Sequence, residues 1–296
     1  MKKTNILKIG LLLLLIFPIA FYTYIIESAK KGDDTAILNK LPSDDTPDDW
    51  YRNDSIRKEK ILAEAKQHIE KRLHLNKKTY HTDYIVENPE ECDSKVSIDM
   101  GNLFADEKQH IMIRSMDQYS LIIDIYARSG QTLLKVFREE ANTLTYLSDT
   151  IQDINGDGYK DLLINTYGSA GCCLKALSLV FIYQPKFHDF PKAYDFLNPT
   201  FSPDEQVIRG VCYGHMGDTD LYKYKWNGAQ VDTVEYIYFE KKQAEDNTLL
   251  PQRTGKVIRA KTRFYDDHQE IIERLDTVPE EYHNIYGYDW FLGEEQ

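Results

Sequence analysis

The stretch DINGDGYKDLLI, residues 153–164, sets four acidic or amide side chains and two glycines into nine residues, then turns apolar. Three readings compete for it: a polar hairpin turn, an EF-hand, and another kind of calcium loop. Oxygen donors stand at positions 1, 3, 5 and 9 as Asp153, Asn155, Asp157 and Asp161. Tyr159 at position 7 offers its backbone carbonyl, and Gly158 at position 6 permits the sharp turn. Calcium takes six or more hard oxygens at about 2.3–2.6 Å, and this spacing directs several of them to one point. An EF-hand needs a bidentate Glu at position 12, which here is Ile164, and no helical periodicity flanks the loop. A calcium loop embedded in β-structure is therefore the favoured reading, with a plain polar turn as the bland one.

The sequence around the loop agrees. From residue 94 onward the hydrophobic pattern alternates with period two. Candidate strands are KVSIDM, HIMIRSM, YSLIIDIYA, TLLKVFRE and TLTYLSDTI before the loop. DLLINTY, LKALSLVFIY, QVIRGVCYG, TDLYKYKW, AQVDTVEYIYFE and KVIRAKTRFYDD follow it. Asn227-Gly228 predicts a type I′ hairpin turn. The 21 tyrosines and 12 phenylalanines suit half-buried pleated surfaces. Short strands without intervening helices predict a mainly β fold: an antiparallel meander with propeller-like character, although no repeat period emerges. The aromatic, acidic stretch from Glu280 reads as an irregular tail.

Before the β region the chain divides into three. Residues 1–26 carry Lys2, Lys3 and Lys8 ahead of an uncharged run over 9–26, which reads as a membrane anchor or signal segment. An uncleaved anchor is favoured, because Glu27-Ser28-Ala29 makes a poor cleavage site. No Cys closely follows the run to carry a lipid. Residues 27–54 read as a polar linker. Residues 55–75 predict an amphipathic helix, with Leu62, Ala65, Ile69 and Leu73 on one face and Asn53, Asp54 or Ser55 as its cap. The β domain then spans 76–296. This order places the body in the periplasm or outside the cell, tethered by the anchor or secreted after cleavage.

The net charge is −12, and the lysines of the N-terminal segment mean that the remainder is more acidic still. Such a body repels phosphate backbones, so nucleic acid is not an expected partner, whereas a cation or a basic protein is. In an exported chain the four cysteines predict disulfides. The expected bond joins Cys172 or Cys173 to Cys212, with Cys92 the candidate partner of the other. Cys212 and His215 form a C-x-x-H, but no second ligand pair sits at zinc spacing. There is no G-x-S-x-G, H-E-x-x-H or phosphate-cradling glycine loop, and no carboxylate pair stands out. The chain is expected not to be an enzyme.

The D-x-N-x-D-G-x-x-D spacing followed by DLLI resembles the calcium loops of FG-GAP and VCBS repeats in β-propellers. The resemblance implies that Asp161 is a calcium ligand beside Asp153, Asn155, Asp157 and the Tyr159 carbonyl. The following NTYGSAGCC, LVFIYQPKFHDF and YKYKWNGAQV are similar, more loosely, to an exported bacterial family with a single loop of this kind. The likeness covers residues 121–234. Some members of that family are periplasmic inhibitors or immunity proteins against peptidoglycan-cleaving enzymes. It implies a calcium-binding protein-interaction module with a cell-wall hydrolase or another exported protein as partner. This chain departs from those members in lacking a lipidation Cys. The competing expectation is an envelope carbohydrate- or surface-binding module, with Tyr213, Tyr222, Tyr224 and Trp226 as stacking aromatics.

Overall fold

The computed structural model describes residues 47–73, 78–88, 92–168, 171, 173–242 and 252–294. The expected membrane segment over 1–26 and the linker as far as residue 46 lie outside the described residues. Among the described residues no helix is long and apolar enough to cross a membrane. The chain forms two units, residues 1–58 and 59–296.

In the first unit the described residues are the opening turns of helix α1 (Pro47–Leu73). The helix begins at Pro47 rather than at 55, so part of the expected linker is helical. Proline suits a first helical position, where no N–H partner is needed. Asp54, expected among the caps, lies inside the helix and pairs with Arg57 at 2.6 Å and Lys58 at 2.8 Å, one turn on.

The second unit is mainly β, in three antiparallel sheets whose strand order follows chain order. Sheet 1 contains β1 (Tyr80–Val86), β2 (Ser94–Ala105), β3 (Lys108–Met116), β4 (Ser120–Ser129) and β5 (Thr132–Asn142). Sheet 2 contains β6 (Tyr146–Gln152), β7 (Asp161–Tyr167), β8 (Ala176–Gln184) and β9 (Asp189–Leu197). Sheet 3 contains β10 (Pro199–Ser202), β11 (Val207–Val211), β12 (Leu221–Asn227), β13 (Gln230–Lys242), β14 (Gln252–Ala260) and β15 (Ile271–Leu275). Each sheet keeps two edges and none closes into a barrel.

The alternation of side chains along each strand decides how the layers meet. Ile61, Leu62, Ala65, Ile69 and Leu73 of α1 pack on Val96, Ile98, Ile111 and Ile113 of sheet 1. The other face of that sheet, with Met112, Leu121, Ile123 and Ile125, meets Leu162, Ile164, Phe181 and Tyr183 of sheet 2. On the far side of sheet 2, Leu163, Val180, Ile182 and Phe196 meet Ile208, Tyr222 and Trp226 of sheet 3. The outer face of sheet 3 is covered by Val278, Tyr282, Ile285 and Phe291, the last on helix α2 (Tyr288–Leu292). The expected irregular tail is thus a packed final layer. Leu162, Leu163 and Ile164 are apolar in succession because both faces of β7 are buried. Each such side chain contributes about 1.5–3 kcal/mol on burial.

The meander sorts the connections between two ends of the sheets. Val207 pairs with Lys225, Gln152 with Asp161 and Ala105 with Lys108, so the 106–107, 153–160 and 203–206 connections share one end. Met116 pairs with Leu121, Ser120 with Asn142, Tyr167 with Ala176 and Val211 with Leu221. The connections that leave Met116, Asn142, Tyr167 and Val211 therefore start at the opposite end. The β12–β13 turn differs in type from expectation. Its central residues are Gly228 and Ala229, and only Gly228 has positive φ, which fits type II′ rather than I′.

Candidate metal centre

The loop over 153–160 joins two paired strands, β6 and β7, and its shape follows from its own side chains. Asp153 accepts from the N–H of Gly156 at 2.7 Å through one carboxylate oxygen and from Gly158 at 2.8 Å through the other. Asn155 Oδ1 accepts from the Asp157 N–H at 3.2 Å, and Asp157 Oδ1 from that of Tyr159 at 2.9 Å. These are the local side-chain-to-backbone turns that Asn and Asp favour. Gly156 and Gly158 have φ of +74° and +88°, a region that side chains disfavour. A Cβ on Gly156 would also lie 2.3 Å from the Pro203 carbonyl oxygen.

Asp161 lies beneath the loop and is fully buried. One of its oxygens accepts from the Ile154 N–H at 3.0 Å, the other from the Tyr183 N–H at 2.9 Å. Burial pushes its carboxyl up to about 7 against those two hydrogen bonds, and the charges of Asp157 and Asp153 push the same way. The loop also touches all three sheets. Lys160 N–H donates to the Phe104 carbonyl of sheet 1 at 2.9 Å, Asp161 holds β8, and Gly156 abuts Pro203 beside sheet 3.

Asp153, Asn155 and Asp157 thus stand together on the loop, Asn155 Nδ2 donating to Asp157 Oδ2 at 3.0 Å. Tyr159 turns its ring toward Tyr183, 6.2 Å between centroids, leaving its carbonyl on the loop. Asp161 faces inward. Among the described residues no group of three or more His, Cys, Asp or Glu side chains is gathered closely enough to hold a metal ion. The donor chemistry nevertheless fits calcium. The set is all oxygen, each carboxylate oxygen bonded to one N–H keeps a further lone pair, and three carboxylates repel one another. A groove of about 320 Å³ runs beside the loop, lined by Asn102, Asp106, Glu107, Asp157, Tyr159 and Lys160 among others.

Two neighbours escaped the sequence reading. His110 is fully buried between sheets 1 and 2, and neither ring nitrogen has a hydrogen-bond partner. The rings of Phe104 and Tyr183 meet it edge-on at 5.1 and 5.4 Å. Burial lowers its pKa to about 4, helped by the nearby His188 and Lys108. His188 pairs with the Tyr183 hydroxyl at 2.9 Å. The only sequence signal was a His opening the apolar run HIMI.

Several expectations are corrected. Cys212 carries a free thiol, so the bond expected from Cys172 or Cys173 is not formed; Cys172 lies outside the described residues. The Cys212 side chain packs into the core between sheets 2 and 3, and burial pushes its thiol up to about 12. In the C-x-x-H, His215 is exposed while Cys212 is buried. Of the aromatics expected to stack on sugars, Tyr222 and Trp226 are core residues and Tyr224 packs against that core; Tyr213 alone is exposed. Comparison with protein-family models, curated proteins and solved structures gave no match.

Proposed function

We propose that this chain is an exported, calcium-binding, non-catalytic protein-interaction module whose partner is a peptidoglycan-cleaving enzyme that it inhibits. The observation that carries the calcium reading is Asp161, a buried carboxylate beneath a glycine-hinged loop that also holds Asp153 and Asp157. Asp153, Asn155 and Asp157 would hold the ion by side-chain oxygens and Tyr159 by its carbonyl, with Asp161 closing the set from below. Bound calcium would neutralise the clustered carboxylates. The resemblance to FG-GAP and VCBS loops, the uncharged segment over 9–26 and the acidic body support export and a basic partner. The three successive meander sheets support a propeller-like arrangement, which an experimental structure showing them splayed about a common axis would test.

Millimolar calcium is expected to raise the melting temperature of the EDTA-treated full chain in detergent, since extracellular sites bind at about 0.1–1 mM. Asp157→Ala is expected to abolish the rise. An unchanged melting temperature in the wild-type chain would sink the site. For the partner, a basic lysozyme-class hydrolase assayed on cell-wall substrate should lose activity stoichiometrically as the protein is added. Full activity across a panel of such enzymes would refute inhibition.

A further inference from the structure

Resting on the interaction-module reading, we infer that the end of the sheets opposite the 153–160 loop is the docking surface, and that it takes a folded protein of net positive charge. Six large apolar side chains stand exposed there: Tyr119, Leu144, Tyr167, Tyr213, Met216 and Tyr286. They come from strand ends and connections of the three sheets and from the final layer, and hydrogen bonds link neighbouring segments. Thr143 N–H donates to the Tyr119 carbonyl and Tyr167 N–H to that of Thr145. Tyr286 N–H donates to Thr200 Oγ1, and Gly217 N–H to the Trp290 carbonyl. Gly287 packs on Leu174, and Lys175 reaches the face of Tyr213 at 5.3 Å.

Tyrosine and methionine with few charges make up the centre of a protein interface, not an ordinary surface. Two carboxylates beside these residues are already engaged: Asp117 caps the Tyr119 and Ser120 N–H groups, and Asp218 pairs with Lys241. The opposite end, by contrast, carries Asp106, Glu107, Asp153, Asp157, Asp204 and Glu205. Exposed Glu87 and Asp93, from the connection at the end of the sheets where 117–119 lies, and Glu294, next to the Gly293 that meets Gly217, stand at the same end. A net charge of −12 steers a basic protein toward the chain, those carboxylates orient it, and tyrosine faces accept its Arg and Lys groups, as Tyr213 accepts Lys175. Another copy of the chain or an acidic protein would meet repulsion instead.

The test is site-specific photo-crosslinking of the full chain in cells that produce it. The probe amino acid is placed at 213 or 286, with 187, an exposed position at the loop end, as control. The expected adduct forms at 213 and 286 but not at 187, with one protein of net positive charge, which is then purified and titrated. Tyr167→Ser with Tyr213→Ser should weaken that Kd at least tenfold, with the melting temperature held as a fold check. Glu87→Gln with Asp93→Asn should slow association and flatten its salt dependence. Adducts equal at 187, adducts between two copies, an acidic protein, binding to glycan alone, or a Kd unmoved by the tyrosine changes would each overturn the assignment. A basic partner without hydrolase activity would refute the inhibitor reading and leave this surface standing. A hydrolase bound through position 187 would do the reverse.

Discussion

His110 contributes a share of the acid response that can be worked out. Its ring is neutral and sealed in the folded state, with pKa about 4 against an ordinary 6.5, and becomes free to charge when the chain unfolds. Between those values the unfolded state binds the extra proton. The contribution is therefore whole above 6.5, falls as the pH falls, and levels off below about 4. Its full size is about 3 kcal/mol, and lowering the pH from 7.5 to 5.5 removes about 1.4 kcal/mol, a tenfold shift of the folding equilibrium. Asp161 acts in the opposite direction. Its folded value of about 7 against an ordinary 3.8 means that the folded state binds the proton first, so acidification stabilises it over the same window. The wild-type response alone therefore mixes opposing contributions, and the difference from His110→Phe isolates the histidine. Phe fits an aromatic box whose other walls are Phe104 and Tyr183. Urea denaturation in EDTA, followed by tryptophan fluorescence at pH 7.5 and 5.5, should show the variant gaining about 1.4 kcal/mol on wild type at the lower pH. A difference that stays constant with pH would refute the buried-imidazole argument.

Other perturbations separate the parts of the fold. Gly156→Ala meets both positive φ and the Pro203 carbonyl, and should cost about 2–4 kcal/mol by urea denaturation. Gly158→Ala, with open space around it, should cost about 1 kcal/mol. Leu163→Ala, in the core between sheets 2 and 3, should lose about 2–5 kcal/mol, whereas Leu134→Ala on the exposed side of β5 should fall within about 0.5 kcal/mol of wild type. Cys212 should resist an aromatic disulfide reagent in the native protein and react on unfolding in urea, as read by mass spectrometry of the labelled peptide.

Where the sequence reading succeeded, burial wrote long apolar runs into the strands. HIMI, LIIDIY and LVFIY were legible as strands because sheets 1 and 2 bury their faces on both sides. Where a strand lies at an edge the pressure relaxes and the signal fades. β9 carries Pro191 and exposed Lys192, β10 has four residues, and β15 is exposed along most of its length. Proline is tolerated on such an edge because no ladder partner needs its N–H. The turn-forming Asp153, Asn155 and Asp157 were legible one by one from the sequence, and the local turns of the loop follow from them. That Asp161 also anchors β8 was not, because its partner is the N–H of Tyr183, whose position no local pattern reveals. The Cys212 pairing failed for a similar reason: cysteine count says nothing about which way the side chain turns just after β11 ends.

The layering has a kinetic meaning. Helix, first sheet, second sheet, third sheet and final segment follow one another in space as they do along the chain. Every sheet closes between consecutive strands, so the entropy of loop closure stays small and each layer has its template in place when its residues arrive. A chain threaded N-terminus first through a membrane could fold from the front, but each new sheet would present a bare apolar face until the next covered it. Tyr282 and Phe291 arrive last, and with them the exposure ends.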